Sequence, residues 1–255
     1  MQTLKIRAVQ SDILWEDPQG NLDKLSQLLK EAAPGELVVL PEMFATGFSM
    51  RPEKIAQSTA GDIVSWMREN SADKLVCGTV AIEEEGRYFN RFLACFEGEV
   101  IATYDKRHLF SYAGEDKHYT AGNSLSVFEY KGWKIKPLIC YDLRFPVWSR
   151  NTEAADLMIY CANWPKVRIQ AWNALLPARA IENQCFVLGV NRVGVDGNAN
   201  EYDGNSALLD PLGERVFELQ DLEQTKFYLL QKTDINSVRK NYPFLYDADE
   251  FKILF

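Results

Sequence analysis

The chain has 255 residues, 47% of them hydrophobic and 12% aromatic, with 36 acidic against 28 basic side chains and a formal charge of −8. That apolar content supports one large core rather than disorder, and an acidic balance with no basic run argues against a nucleic-acid surface. No apolar run approaches the roughly 20 residues that span a bilayer, and Met1-Gln2-Thr3-Leu4-Lys5-Ile6 lacks the apolar stretch of a signal peptide.

No Pro/Gly/Ser-rich linker interrupts the chain, so residues 1–255 are expected to form a single domain. Leu4 to Gln10 alternates and predicts a strand, and Leu22, Leu25, Leu28 and Leu29 give Asn21 to Leu29 a helical period. Pro34-Gly35 breaks that helix, and Glu36 to Leu40 is a short apolar strand ending in Pro41-Glu42. After an aromatic loop, Met43 to Phe48, a helix is expected over 62–70 and strands over 75–82, 88–96 and 100–105. Lys106 to Asn123 is a long polar connection, a feature often functional in compact domains.

Strands are then expected at 125–130, 133–140 and 157–162. A helix-like segment, Val147-Trp148-Ser149-Arg150, lies between the last two. Arg168 to Asn183 predicts a helix kinked by Pro177, and 185–191, 205–209, 215–219 and 226–230 predict strands. The tail, about 234–255, begins as a short helix and carries Tyr242-Pro243-Phe244-Leu245-Tyr246, a segment suited to covering a partner subunit. Strands and helices in this order fit an α/β protein with helices over a large sheet or over two stacked sheets.

The five cysteines are Cys77, Cys95, Cys140, Cys161 and Cys185. Their odd number and the absence of a CxxC pair suggest neither a disulfide framework nor a zinc site, and a reducing cytoplasm is the expected setting. Four lie inside apolar runs and read as core, whereas Cys140 ends the run Ile135 to Ile139 against the charged turn Tyr141-Asp142-Leu143-Arg144. A cysteine there is either a nucleophile held at a strand end or a small buried hydrophobe. A catalytic cysteine needs a base. The only histidines, His108 and His118, lie in the polar loop with no Asn or Asp obviously placed to orient them, so a Cys-His enzyme is the weaker reading. Glu42 and Lys106 also follow apolar strands, so three reactive side chains end three strands. Burial would lift Glu42 toward a useful base, and a neighbouring ammonium would offset part of that lift. Taken singly, Glu42 also reads as a turn cap and Lys106 as surface charge.

Leu40-Pro41-Glu42-Met43-Phe44, Tyr104-Asp105-Lys106-Arg107-His108-Leu109-Phe110 and Ile139-Cys140-Tyr141-Asp142-Leu143-Arg144-Phe145-Pro146 resemble, in order, the three signature blocks of the nitrilase (carbon–nitrogen hydrolase) superfamily. Arg179-Ala180-Ile181-Glu182-Asn183 resembles the family's helix motif after the nucleophile, and the likeness covers nearly the whole chain. It implies a four-layer α-β-β-α sandwich, a Glu42-Lys106-Cys140 triad and a second glutamate, Glu115, that positions Lys106 and the substrate amide. It also implies the Tyr141 backbone N–H as an oxyanion donor, and no metal or organic cofactor.

Ala162-Asn163-Trp164-Pro165 and the run from Cys140 to Trp148 look most like the ω-amidase branch, which implies a small-molecule 2-oxo acid amide as substrate. A substrate carboxylate calls for a cation, and Arg168 near a predicted helix start is the candidate, though it equally reads as a solvated helix arginine. Phe44, Tyr119 and Trp164 are candidate pocket walls, or simple core aromatics. The alternatives are a nitrilase, an N-carbamoyl amidohydrolase or a peptide-side-chain amidase. Outside catalysis they are a non-catalytic partner protein or a thiol redox sensor. The resemblance further implies a homodimer or higher homo-oligomer, with the tail reaching across.

Overall fold

The structure, a computed structural model, describes residues 2–253; Met1 and the last two residues of the tail lie outside the described residues. Its strands are β1 (Thr3–Gln10), β2 (Leu37–Val39), β3 (Leu75–Glu84), β4 (Arg87–Phe96), β5 (Glu99–Asp105), β6 (Phe128–Tyr130), β7 (Trp133–Ile139), β8 (Leu157–Cys161), β9 (Phe186–Val190), β10 (Val193–Val195), β11 (Glu201–Asp203), β12 (Ala207–Leu209), β13 (Arg215–Glu218) and β14 (Gln224–Gln231). The helices are α1 (Pro18–Leu28), α2 (Pro52–Ile55), α3 (Asp62–Glu69), α4 (Ile169–Asn183) and α5 (Lys232–Asn241).

Two six-stranded sheets form, in the orders β14-β1-β2-β3-β4-β5 and β13-β12-β9-β8-β7-β6. The central strands of each are parallel, with Ile6 opposite Leu37, Leu37 opposite Leu75, and Ile139 opposite Cys161. These strands are buried on both faces, which is why Val38, Val39 and the run from Leu157 to Cys161 are apolar without alternation. In the first sheet Leu4, Ile6, Ala8, Leu37, Val39, Leu75 and Cys77 face inward, sharing one core with Ile139, Ile159 and Leu188 of the second. On its outer face α1 and α3 lay Leu22, Leu25, Ile63, Val64 and Met67 over Val38, Val76 and Val80. On the far side of the second sheet α4 brings Trp172 and Leu176 against Gly189, where even an added Cβ would sit 2.6 Å from the Trp172 ring. The result is the four-layer α-β-β-α sandwich. Among the described residues no helix is long and apolar enough to cross a membrane.

Several local expectations are corrected. Val147-Trp148-Ser149-Arg150 is not helical; a five-residue 3-10 turn, Cys140–Arg144, precedes it. Phe145 takes an extended backbone because Pro146 follows it and disfavours the α region. The predicted helix around Pro177 is present as α4, one element from Ile169 to Asn183 with the proline inside it. The carbonyl that Pro177 leaves without an i→i−4 partner belongs to Asn173, and it accepts instead from Arg215 Nη2 at 3.1 Å. The strand predicted from Leu125 begins only at Phe128, and helix α2 and the β10–β11 hairpin carry no sequence prediction at all. Their segments are too short to show a period.

Candidate active site

The site lies at the rim where strands of both sheets end. One residue beyond β2, Leu40 still donates its N–H to the Cys77 carbonyl (2.8 Å), so the sheet holds the chain up to the Pro41-Glu42 turn. Glu42 is fully buried, and each of its carboxylate oxygens has a donor. Oε1 accepts from Lys106 Nζ (2.8 Å) and Asn90 Nδ2 (2.8 Å), and Oε2 from the Asn163 N–H (2.8 Å). The Asn163 side-chain amide donates to the Glu42 carbonyl.

Lys106 is the first residue after β5, fully buried, with its own N–H bonded to the Asn90 carbonyl at 3.0 Å. Its ammonium touches Glu42 and both oxygens of Glu115 (3.0 and 2.9 Å), and lies 4.8 Å from the centre of the Phe48 ring. Glu115 sits in a short 3-10 turn and accepts from the Phe110 N–H at 2.6 Å. Burial opposes the Lys106 charge, but Glu115 and Glu42 outweigh it and raise its pKa above the ordinary lysine value. Burial is also the main reason the Glu115 pKa is raised, with Lys106 opposing it and Glu42 adding to it.

Cys140 opens the 3-10 turn at the end of β7 with φ +44°, a left-handed backbone unusual for any residue but glycine and one that sets the thiol at the strand end. It is 9% exposed, and its Sγ lies 3.8 Å from the Asn163 carbonyl. Burial and then Glu42 push the thiol well above its usual pKa, with Lys106 pulling the other way. The other four cysteines are also free and are fully buried in the core, as expected.

A cleft of about 650 Å³, counting its open mouth, reaches Cys140. Its apolar walls include Phe48, Phe110, Tyr112, Trp164 and Tyr202. Arg144 and Arg168 line it as well, and neither has a carboxylate within ion-pair distance among the described residues. Arg144 stacks at 4.9 Å from the Trp164 ring centre and Arg168 at 4.9 Å from that of Phe110. Trp164 is fixed by its N–H to Asn191 Oδ1 (2.8 Å) and its indole N–H to the Arg168 carbonyl (2.8 Å).

Glu42, Lys106, Glu115 and Cys140 are therefore brought to one place, from positions up to 98 residues apart in the chain. Trp164 and Arg168 line the cleft, as does Tyr141. Two expected wall residues do not. Phe44 turns away because Met43 takes φ +44°, and its ring packs against Trp66 (5.8 Å) over Gly78 on the outer side of the first sheet. Tyr119 is buried behind the Glu115 turn, donating its hydroxyl to the Ser49 carbonyl at 2.8 Å. Phe48, four residues after Phe44, lines the cleft instead.

Sequence reasoning missed Asn90, Asn163 and Arg144. Asn90 bridges both glutamates (2.8 Å to Glu42 and 3.2 Å to Glu115) and accepts from Thr79 Oγ1 (2.8 Å), which in turn accepts from the Met43 N–H (2.8 Å). One signal was available: Asn90 shares the inward face of β4 with Phe92 and Ala94, and a polar residue on such a face needs a partner. The expectation that neither histidine has an orienting acid is also overturned, because His108 Nδ1 lies 2.8 Å from Asp142 Oδ1.

A four-layer sandwich with a buried thiol, carboxylates and an ammonium at its strand ends defines the nitrilase class of hydrolase. The comparisons give the family: the carbon-nitrogen hydrolase family model matches residues 5–240, and the chain belongs to that family of amidohydrolases. It is 44% identical to the omega-amidase YafV of Escherichia coli K12, over 99% of this chain and all of that one. It is 35% identical to the 2-oxoglutaramate amidase of Bacillus subtilis, over 84% and 85% of the two chains. In structure it is similar to a CN-hydrolase superfamily protein of Xanthomonas campestris that carries an arsenic adduct in its active site (TM-score 0.95, 42% identity, 99% and 100% coverage).

Proposed function

We propose that the protein is an ω-amidase, a cysteine-dependent amidohydrolase that releases ammonia from 2-oxoglutaramate and 2-oxosuccinamate. The observation that carries this reading is the pairing of two carboxylate-free guanidinium groups, Arg144 and Arg168, with Cys140 in one cleft rich in aromatic side chains. Such a cleft suits a short chain with an anionic end, because a guanidinium binds carboxylate in a fork and gains strength where water is thin. The names of the Escherichia and Bacillus relatives support the same substrates.

In the proposed cycle Glu42 takes the Cys140 thiol proton as sulfur attacks the amide carbonyl. The developing oxyanion is held by the Lys106 ammonium and the Tyr141 N–H, the kind of preorganised donor pair that stabilises such charge. Glu42 returns the proton to the amide nitrogen, the C–N bond breaks, and ammonia leaves a thioester on Cys140. Glu42 then deprotonates water, which attacks the thioester carbonyl; the C–S bond breaks and the thiolate recovers a proton. Glu115 and Asn90 hold Lys106 and Glu42 in place throughout. A thiol whose pKa burial and Glu42 raise suits a base that acts during attack rather than before it.

The working unit proposed is one domain per chain, paired as a homodimer in the cytoplasm. The exposed Tyr242, Phe244 and Tyr246 of the tail favour a partner surface, and five unpaired cysteines suit a reducing compartment. The test is ammonia release by purified protein on 2-oxoglutaramate, 2-oxosuccinamate, glutamine, N-carbamoyl-β-alanine and a simple nitrile, with Cys140→Ala as the blank. Turnover confined to the two oxo acid amides is expected. Turnover of glutamine or the nitrile in preference overturns the substrate, and ammonia release by Cys140→Ala overturns the mechanism.

A further inference from the structure

The two halves of the reactive cluster hang on different sheets. Glu42 and Lys106 follow β2 and β5 of the first sheet, whereas Cys140 and Asn163 follow β7 and β8 of the second. The close-packed apolar core between the sheets sets their spacing, but its contacts are not directional and leave the lateral register of the two rims to polar ties. Chemistry between the halves needs tighter control, since a displacement of about 1 Å can cost on the order of 100-fold in rate.

We propose that Asp142 is a positioning residue that sets the distance between Lys106 and the Cys140 thiol; the proposal rests on the amidohydrolase reading above. Asp142 is fully buried two residues after Cys140 and belongs to the second sheet's turn. Its Oδ2 accepts from the Ile139 N–H (3.0 Å), the residue just before the nucleophile, and from the Tyr104 hydroxyl (2.7 Å) at the end of β5. Its Oδ1 accepts from the His108 N–H (3.0 Å) and lies 2.8 Å from His108 Nδ1. One carboxylate thus grips the backbone next to Cys140 and both flanks of Lys106.

The grip is itself braced. The Tyr104 hydroxyl accepts from the Trp148 indole N–H (2.8 Å) and the Arg107 N–H (3.2 Å), and the His108 ring stacks on Phe145 with centres 3.7 Å apart and planes 6° from parallel. Trp148 and Phe145 both follow the nucleophile turn, so the two flanks of Lys106 are packed onto the same segment that Asp142 begins. Asn163 makes the second tie, through Glu42. Two ties at separate points define both spacing and register, where one would leave a hinge.

The acceptor set shows why the residue is an acid and not its amide. The Ile139 and His108 N–H groups and the Tyr104 hydroxyl all donate toward Asp142, and His108 Nδ1 donates or accepts with its tautomer. In Asp142→Asn the new NH₂ must face one pair of them. The Tyr104 hydroxyl can rotate and His108 can change tautomer, but a backbone N–H can do neither. Whichever way the amide turns, the N–H of Ile139 or of His108 loses its acceptor in a buried setting. The slack then appears beside Cys140 or beside Lys106.

The experiment compares the full-length parent with Asp142→Asn and Tyr104→Phe, each checked for retained secondary structure and oligomeric state. Two readouts are taken: kcat and KM on 2-oxoglutaramate, and the pH profile of Cys140 alkylation by iodoacetamide without substrate. The expected result is a kcat about 10- to 100-fold lower with KM changed less than about threefold, and an alkylation profile displaced along the pH axis, because the separation of thiol and ammonium has changed. If Asp142→Asn does not fold, Tyr104→Phe decides, with Asp142 and its contacts to Ile139 and His108 retained. A folded variant with kcat and alkylation profile both within about twofold of the parent overturns the proposal, as does a loss confined to KM. The alkylation readout needs no turnover, so a parent enzyme inactive on every amide would defeat the substrate reading and leave the positioning role separately decided.

Discussion

Replacing Lys106 by Met removes the cation between two buried carboxylates while nearly keeping the side-chain length. In the native site the ammonium is 2.8 Å from Glu42 and 2.9 Å from Glu115, with all three side chains at 0% exposure. Breaking a buried ion pair by deleting one partner costs about 3–5 kcal/mol, because the other charge is left without compensation. For a chain of this size that corresponds to about 6–20 °C in melting temperature. Asn90 still donates to both glutamates, so the lower part of the range is expected at first. The sign with pH follows from the carboxyls. With the cation gone, one of them keeps its proton in the folded state while the unfolded chain releases it above the ordinary value of 4.5. The deficit is therefore smallest at acid pH and grows as pH rises past that value. Adding Glu115→Gln removes the repulsion, so the double variant is expected to recover stability without recovering activity. Urea and thermal unfolding at pH 4 to 8 are the assays. A Lys106→Met protein that melts with the parent at pH 8, or whose deficit shrinks as pH rises, refutes the reasoning.

Other outcomes are as specific. Cys140→Ala is expected to abolish ammonia release with the melting temperature almost unmoved, since only a small thiol in a cleft wall is lost; measurable turnover would remove Cys140 from the chemistry. Arg144→Met and Arg168→Met are expected to raise KM for 2-oxoglutaramate by about 10-fold or more each, the scale of a charge-assisted hydrogen bond. A neutral amide of similar length should be affected much less, and equal effects on both would discard the anchor. Burial and Glu42 hold the Cys140 thiol above its ordinary 9.0, so its alkylation rate should still be climbing beyond pH 9, and a plateau near neutrality would contradict that. Gly78→Ala places a Cβ 2.7 Å from the Phe44 ring, an overpacking that should cost about 1–3 kcal/mol in unfolding experiments and leave KM unchanged. Light scattering at micromolar concentration should give twice the chain mass, and a monomer there would withdraw the dimer.

Much of this protein is legible in its linear order. Period and apolar runs locate the long strands and the helices α1, α3 and α4, because each must bury a stripe or a face whose spacing the backbone dictates. The motif blocks at Glu42, Lys106 and Cys140 carry the family, and with it the sandwich, since a reactive side chain at a strand end is a local feature. Their meeting is not local. Glu42 and Lys106 are 64 residues apart, and only the stacking of two sheets brings the second pair of strand ends against the first. The same limit explains the misses. Phe44 and Phe48 are equally aromatic in sequence, and the left-handed turn at Met43 decides which one faces the cleft. Asp142 reads as one more charge in a polar turn until Tyr104, in β5 of the other sheet, and His108, just after that strand, are seen to donate to it. Residue type sets what a side chain can donate or accept; the packing of two independently twisted sheets sets which partners are within 3 Å of it, and hydrogen bonds are felt only at that range.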